Sequence, residues 1–144
     1  MIVVVDASVM IKWYVPEIHD VEAELLLGGQ FELNSPELAM PEFGNIVWKK
    51  QRSGKLSNDE AIAITDAFLS HDITIHPHKS FLRAAINGAN ETGQTVYDWT
   101  YLSLAISLSC PFITADYKFY NAVTTTPFKT HVVWIENIPQ LVSN

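Results

Sequence analysis

Residues 2–8 read Ile2-Val3-Val4-Val5-Asp6-Ala7-Ser8. Four consecutive β-branched residues without polar alternation suit a strand buried on both faces of a parallel sheet. An acid stands immediately where that strand ends. Further short strands are expected at 32–36, Ile73–His76, Phe112–Thr114 and 132–135. Helical patterns lie between them. Residues 8–15 form a short one ended by Pro16, and 19–28 carry Val21, Leu25 and Leu26 before the Gly28-Gly29 stop. Residues 38–53 place Phe43, Ile46 and Val47 on one face, with Gly54 as terminator. Ser57-Asn58-Asp59-Glu60 is a capping box that opens a helix to about residue 70. Residues 79–91 and 98–109 complete the set. Strands alternate with helices from end to end, which means an α/β fold with a mainly parallel sheet.

The chain has 144 residues, and no linker, repeat or low-complexity segment divides it, so one domain over 1–144 is expected. With 48% hydrophobic and 17% charged residues it is no disordered tail. Cys110 is the sole cysteine, which excludes an internal disulfide and a Cys-rich zinc site. No apolar run approaches a membrane span. The start, MIVVVD, has no basic leader and enters a strand at once, so no signal peptide is expected and the expected compartment is the cytoplasm. A net charge of −7 argues at first against nucleic-acid binding. Two placements soften this. Lys49, Lys50, Arg52 and Lys55 are four of the nine basic residues and lie close together, and bound metal would neutralise some acids.

Ligands of open α/β sheets bind beyond the carboxyl ends of the strands. Asp6 stands at one such end, and Asp116 follows Phe112–Thr114 after a single residue. Either aspartate alone reads equally well as a helix N-cap; two at equivalent strand ends favour a shared site. Glu42 follows Pro41 at a helix start, and Asp98 completes cap-like spacing with Thr95, so spacing alone makes both structural. Four acids around one cleft would repel each other unless cations intervened. Mg²⁺ and Mn²⁺ take oxygen ligands, and metal ions can clamp the oxygens of a phosphodiester without any protein nucleophile.

Four ordered segments carry a resemblance: Val5-Asp6-Ala7-Ser8, Pro41-Glu42-Phe43-Gly44-Asn45, Tyr97-Asp98-Trp99-Thr100-Tyr101-Leu102-Ser103-Leu104-Ala105 and Ile113-Thr114-Ala115-Asp116. Together they resemble the PIN-domain nucleases, and within them the VapC toxins of toxin–antitoxin pairs. The resemblance implies a three-layer α/β/α domain and an endoribonuclease dependent on Mg²⁺ or Mn²⁺. It implies Asp6, Glu42 and Asp98 as metal ligands, and Asp116 as a ligand or a holder of metal-bound water. Ser8, Asn45 and Thr114 are then supports that orient the carboxylates. Tyr117 and Lys118 follow Asp116 where some relatives carry further acids, so one metal is favoured over two. A homodimer and a small antitoxin with a basic tail are also implied. The alternatives are a PIN-type RNA-processing nuclease without an antitoxin, and an inactive PIN-like binding module.

Other signals carry less. Among the five histidines only His76 and His78 are near neighbours, and they read as a surface pair; no His-Glu-x-x-His pattern exists. No Gly-x-Ser-x-Gly elbow or Gly-rich phosphate loop appears. An Asp-x-Asp start of the haloacid-dehalogenase kind is absent, since Asp6 is followed by Ala7-Ser8. Lys49, Lys50, Arg52 and Lys55 read as a solvated helix end or as an edge for RNA phosphates. Trp13, Trp48, Trp99 and Trp134 read as core or interface residues, and Trp13, Tyr14, Leu25 and Leu26 are expected to face the partner.

Overall fold

The computed structural model describes residues 1–143. Strand β1 (Ile2–Val5) buries Val3, Val4 and Val5 completely, as its unbroken apolar run requires. It is the central strand of a five-stranded sheet ordered β3-β2-β1-β4-β5. The others are β2 (Glu32–Pro36), β3 (Ile73–His76), β4 (Phe112–Thr114) and β5 (Val132–Trp134). Every pairing is parallel. The chain steps outward from β1 to β2 and β3, then crosses back to β4 and β5. The order therefore reverses beside β1, and a crevice opens there at the carboxyl ends of the strands.

Helices α1 (Ala7–Met10), α2 (Asp20–Glu24), α3 (Ala39–Arg52) and α4 (Asn58–Ser70) belong to the outward half. Helices α5 (Leu82–Thr92), α6 (Val96–Ser107) and α7 (Tyr117–Val123) belong to the return. Right-handed crossovers send the two groups to opposite faces. Thus α1 packs on α3 and α3 on α4, while α6 crosses β1 and β2 and packs on α5. These are the three layers. Phe43 stacks on Phe68 at 3.8 Å between α3 and α4, and Tyr101 on Phe112 at 5.5 Å between α6 and β4. Gly88 lets α5 and α6 meet closely: a Cβ there would lie 2.1 Å from the Trp99 ring. Helix α8 (Ile138–Ser143) buries Ile138. Among the described residues no helix is long and apolar enough to cross a membrane.

The Ser57–Glu60 capping box forms with both reciprocal bonds, 3.0 and 3.1 Å. Helix α6 starts at Val96, two residues earlier than its pattern suggests, because Thr95 caps it. Helix α5 is preceded by a 3-10 turn at Lys79–Phe81. Helices α7 and α8 lack a clear periodic pattern. The α7 sequence Tyr-Lys-Phe-Tyr-Asn-Ala-Val is rich in aromatics of low helix propensity, and its cap supplies the start.

One expectation about the surface fails. Trp13 and Leu26 are core residues, and the Trp13 indole N–H donates to the Ala23 carbonyl at 3.0 Å. They cannot face a partner. The first helical stretch is one α turn plus a 3-10 turn, too short for its periodicity to define an outer face.

Candidate active site

Asp6 leaves β1 with extended backbone and caps α1, where its Oδ1 accepts the Val9 N–H at 2.9 Å. Asp116 leaves β4 in the same way and caps α7, accepting the Phe119 N–H at 3.1 Å. Both N-cap readings are therefore correct, and both are compatible with a site, since β1 and β4 are neighbours and their ends adjoin. Glu42 lies in the first turn of α3, and its Oε1 accepts the Tyr101 hydroxyl at 2.6 Å. Asp98 lies in the first turn of α6. Its Oδ2 accepts the Thr95 hydroxyl at 2.9 Å, and its own N–H donates back to that hydroxyl at 3.1 Å. Asp is one methylene shorter than the Glu of a full capping box, so its carboxylate engages the hydroxyl. Each acid thus sits at a helix N-terminus, where the dipole favours negative charge.

Electrostatics bind the four into one group. Asp6 is only 5% exposed. Burial, reinforced by the charges of Asp98, Glu42 and Asp116 and opposed by the Val9 N–H, pushes its carboxyl up to about 8. Asp98 is pushed up to about 6, first by burial and then by Asp116 and Glu42, against the Thr95 bond. Burial also raises Glu42, while the Tyr101 bond opposes it. The Tyr101 phenol is raised by burial and by the charges of Asp6 and Glu42, so it remains a donor.

Among the described residues no basic side chain pairs with these acids. Lys12 and Lys50 pair with Glu17, His19 with Glu136, and His78 with Glu37. Nor do three His, Cys, Asp or Glu side chains among the described residues already converge as a metal-binding group. Uncompensated carboxylates repel, and Glu42 and Asp98 are turned to hydroxyls. The donor set still fits a hard divalent cation: it is all carboxylate, it is mutually repelling, and helix ends and hydroxyls hold its members in place.

The expected supports fare unevenly. Thr114 is buried, but its hydroxyl accepts the Asp116 N–H at 3.0 Å, so it orders the backbone rather than a carboxylate. Ser8 is exposed, and the Asp6 carboxylate takes its bond from Val9. Asn45 is exposed one turn beyond Glu42. Tyr101 is a support that sequence reasoning misses, although it lies three residues after Asp98 and so on the same helix face. The basic group is not brought to the acids. Lys50 lies eight residues beyond Glu42, about 12 Å along α3. It is held by Glu17 at 2.9 Å. Arg52 lies over the Trp48 ring at 5.4 Å. Lys55 lines a separate groove with Tyr14, Leu56 and Ile64. His76 and His78 are half-buried rather than a free surface pair: His76 is 2.7 Å from Asn34 Oδ1, and His78 Nδ1 accepts the Leu38 N–H.

Comparison with known proteins identifies the family and the fold. The family model of the PIN domain matches residues 3–123. The chain is 34% identical over 118 residues to ribonuclease VapC3 of Pyrobaculum aerophilum, covering 81% of this chain and 90% of that protein. The crystal structure of PAE2754 from the same organism superposes with a TM-score of 0.73 at 21% identity, over 99% of this chain and 90% of the other. That of VapBC2 from Rickettsia felis, bound to a DNA fragment from its promoter, gives 0.64 at 15% identity, over 93% and 98%.

Proposed function

Because the chain belongs to the PIN-domain family, we propose that it is a divalent-metal-dependent endoribonuclease and the toxin of a toxin–antitoxin pair. The observation that carries this is the set of Asp6, Glu42, Asp98 and Asp116, each at a helix N-terminus and three of them close enough to act on the charge of the buried Asp6, with no basic side chain paired to any of them among the described residues. An all-carboxylate group whose members are held by helix ends and hydroxyls suits a hard divalent cation. The names of the relatives, a ribonuclease and a VapBC complex, supply the reaction and the partner class.

Asp6, Glu42 and Asp98 would hold the cation, Mg²⁺ or Mn²⁺, with Asp116 bound to it directly or through water. The cation, when bound, supplies positive charge against the charge that develops on the phosphodiester. The chain's own groups fix the geometry. Val9 N–H holds Asp6, the Tyr101 hydroxyl holds Glu42, the Thr95 hydroxyl holds Asp98 and Phe119 N–H holds Asp116. Each bond leaves the second carboxylate oxygen for other partners. Of the basic residues, Lys49, Arg52 and Lys55 are retained as distal phosphate contacts, and Lys50 is withdrawn because Glu17 holds it.

The partner is a small antitoxin whose tail arginines enter the anionic cleft and compete with the cation, since a guanidinium pairs carboxylates in two bonds. The protein acts in the cytoplasm as a homodimer. Incubating purified protein with total RNA, with Mn²⁺ or with chelator, tests the reaction. Cleavage only with the cation is expected, and cleavage that persists in chelator contradicts the mechanism.

A further inference from the structure

The carboxyl edge carries a feature that holding a cation does not use. Strand β5 pairs with β4 so that Trp134 stands opposite Thr114, two residues before Asp116. Tyr117 directly follows Asp116 as the first residue of α7. Its ring meets Trp134 edge-on at 5.4 Å, and Tyr120 stands 6.3 Å from Tyr117 and 5.9 Å from Trp134. Tyr120 and Trp134 are half-buried and form a floor, whereas Tyr117 is 61% exposed. Closure of the sheet edge over β5 accounts for the floor. It does not account for the exposure of Tyr117, the residue that directly follows a candidate catalytic acid. Lys118, the next residue, is also exposed.

We propose that Tyr117, backed by Trp134 and Tyr120, is a stacking platform for the nucleobase adjoining the scissile phosphate of single-stranded RNA, with Lys118 beside it for a flanking phosphate. This rests on the RNA-cleaving reading of the cleft. Every base has a π-face, so an aromatic ring grips a strand without reading its sequence, and a nearby cation tracks the backbone.

The test measures KM and kcat with Mn²⁺ on an RNA oligonucleotide containing one cut site. Wild type is compared with Tyr117→Ala and Tyr117→Phe. Each is also given the same RNA with an abasic nucleotide on either side of the cut. Tyr117→Ala is expected to raise KM about tenfold with kcat little changed, and Tyr117→Phe to behave as wild type. One abasic position should cost wild type a similar factor and cost Tyr117→Ala almost nothing more. Additive losses, an unchanged KM, or a loss confined to kcat would overturn the platform while leaving the nuclease reading intact. A wild-type protein that cuts no RNA with any divalent cation would overturn both.

Discussion

Two regions treat buried charge in opposite ways. Between the loop after α1 and the end of α3, Glu17 stands between two lysines, with Lys50 at 2.9 Å and Lys12 at 3.4 Å. Burial raises the Glu17 carboxyl, but the two lysines outweigh it and its net shift is downward. Lys12 is 7% exposed and also donates to the Ile18 carbonyl at 2.9 Å. At the carboxyl edge, Asp6 is at least as buried and meets three more acids, so its carboxyl is pushed up to about 8. The first arrangement completes its own charge balance and holds a loop to a helix. The second has no basic partner among the described residues, and on the proposed reading a cation from outside completes it.

The sharpest way to break the contrast is to remove one acid. Asp6→Ala, Glu42→Ala or Asp98→Ala should each lower RNA cleavage on the order of 10³-fold, with circular dichroism showing the fold retained. Full activity in any of them removes that residue from the site. The reverse outcome is expected in the lysine pair. Glu17→Ala leaves Lys12 buried without its carboxylate and should cost about 1–3 kcal/mol of stability, read from urea unfolding, while kcat per folded molecule stays unchanged.

The pH dependence follows with its sign. Asp6 and Asp98 have folded-state values of about 8 and about 6, both above the ordinary aspartate value of 3.8. Between the unfolded and folded values the native state binds more protons than the unfolded chain. Stability in chelator should therefore fall as pH rises from 5 to 8, by at most about 1.4 kcal/mol per pH unit for each proton released. Saturating Mn²⁺ should flatten this slope. A slope that is flat in chelator would mean that the Asp6 and Asp98 carboxyls are not raised in the folded state. The smallest effect belongs to Tyr101→Phe. It removes one hydroxyl donor to Glu42, should cost about 1 kcal/mol, and should raise the Mn²⁺ concentration needed for half-maximal cleavage several-fold.

Much of this was legible in the chain. The run Ile2–Val5 was readable as a strand buried on both faces, and the acid after it marked the edge of the candidate site; that the strand is the central one comes from the structure. The Ser57–Glu60 capping box was readable because its bonds span three residues. Distant pairings were not. Glu17 and Lys50 meet across the fold, and nothing local marks Lys50 as already paired, so the basic cluster reads as a phosphate edge. Tyr101 sits within a quoted motif, but its value depends on α6 reaching Glu42 on α3. The supports expected at Ser8 and Thr114 went instead to a backbone N–H and to an Asp116 turn. Local spacing shows where a hydroxyl lies along the chain; it does not show which of several nearby acceptors and donors it will satisfy.

The most direct measurement is a melting comparison of wild type and Asp6→Asn at pH 8, each in chelator and in millimolar Mn²⁺. Asn caps a helix as well as Asp does, so α1 keeps its N-cap. In chelator the variant should melt above wild type, because it removes a buried charge from a repelling group. Mn²⁺ should raise wild type, by about 2.7 kcal/mol at a hundred times Kd, and lift it above the variant. If wild type is unmoved by Mn²⁺ and the order of melting is the same in both conditions, the four acids are not a cation site.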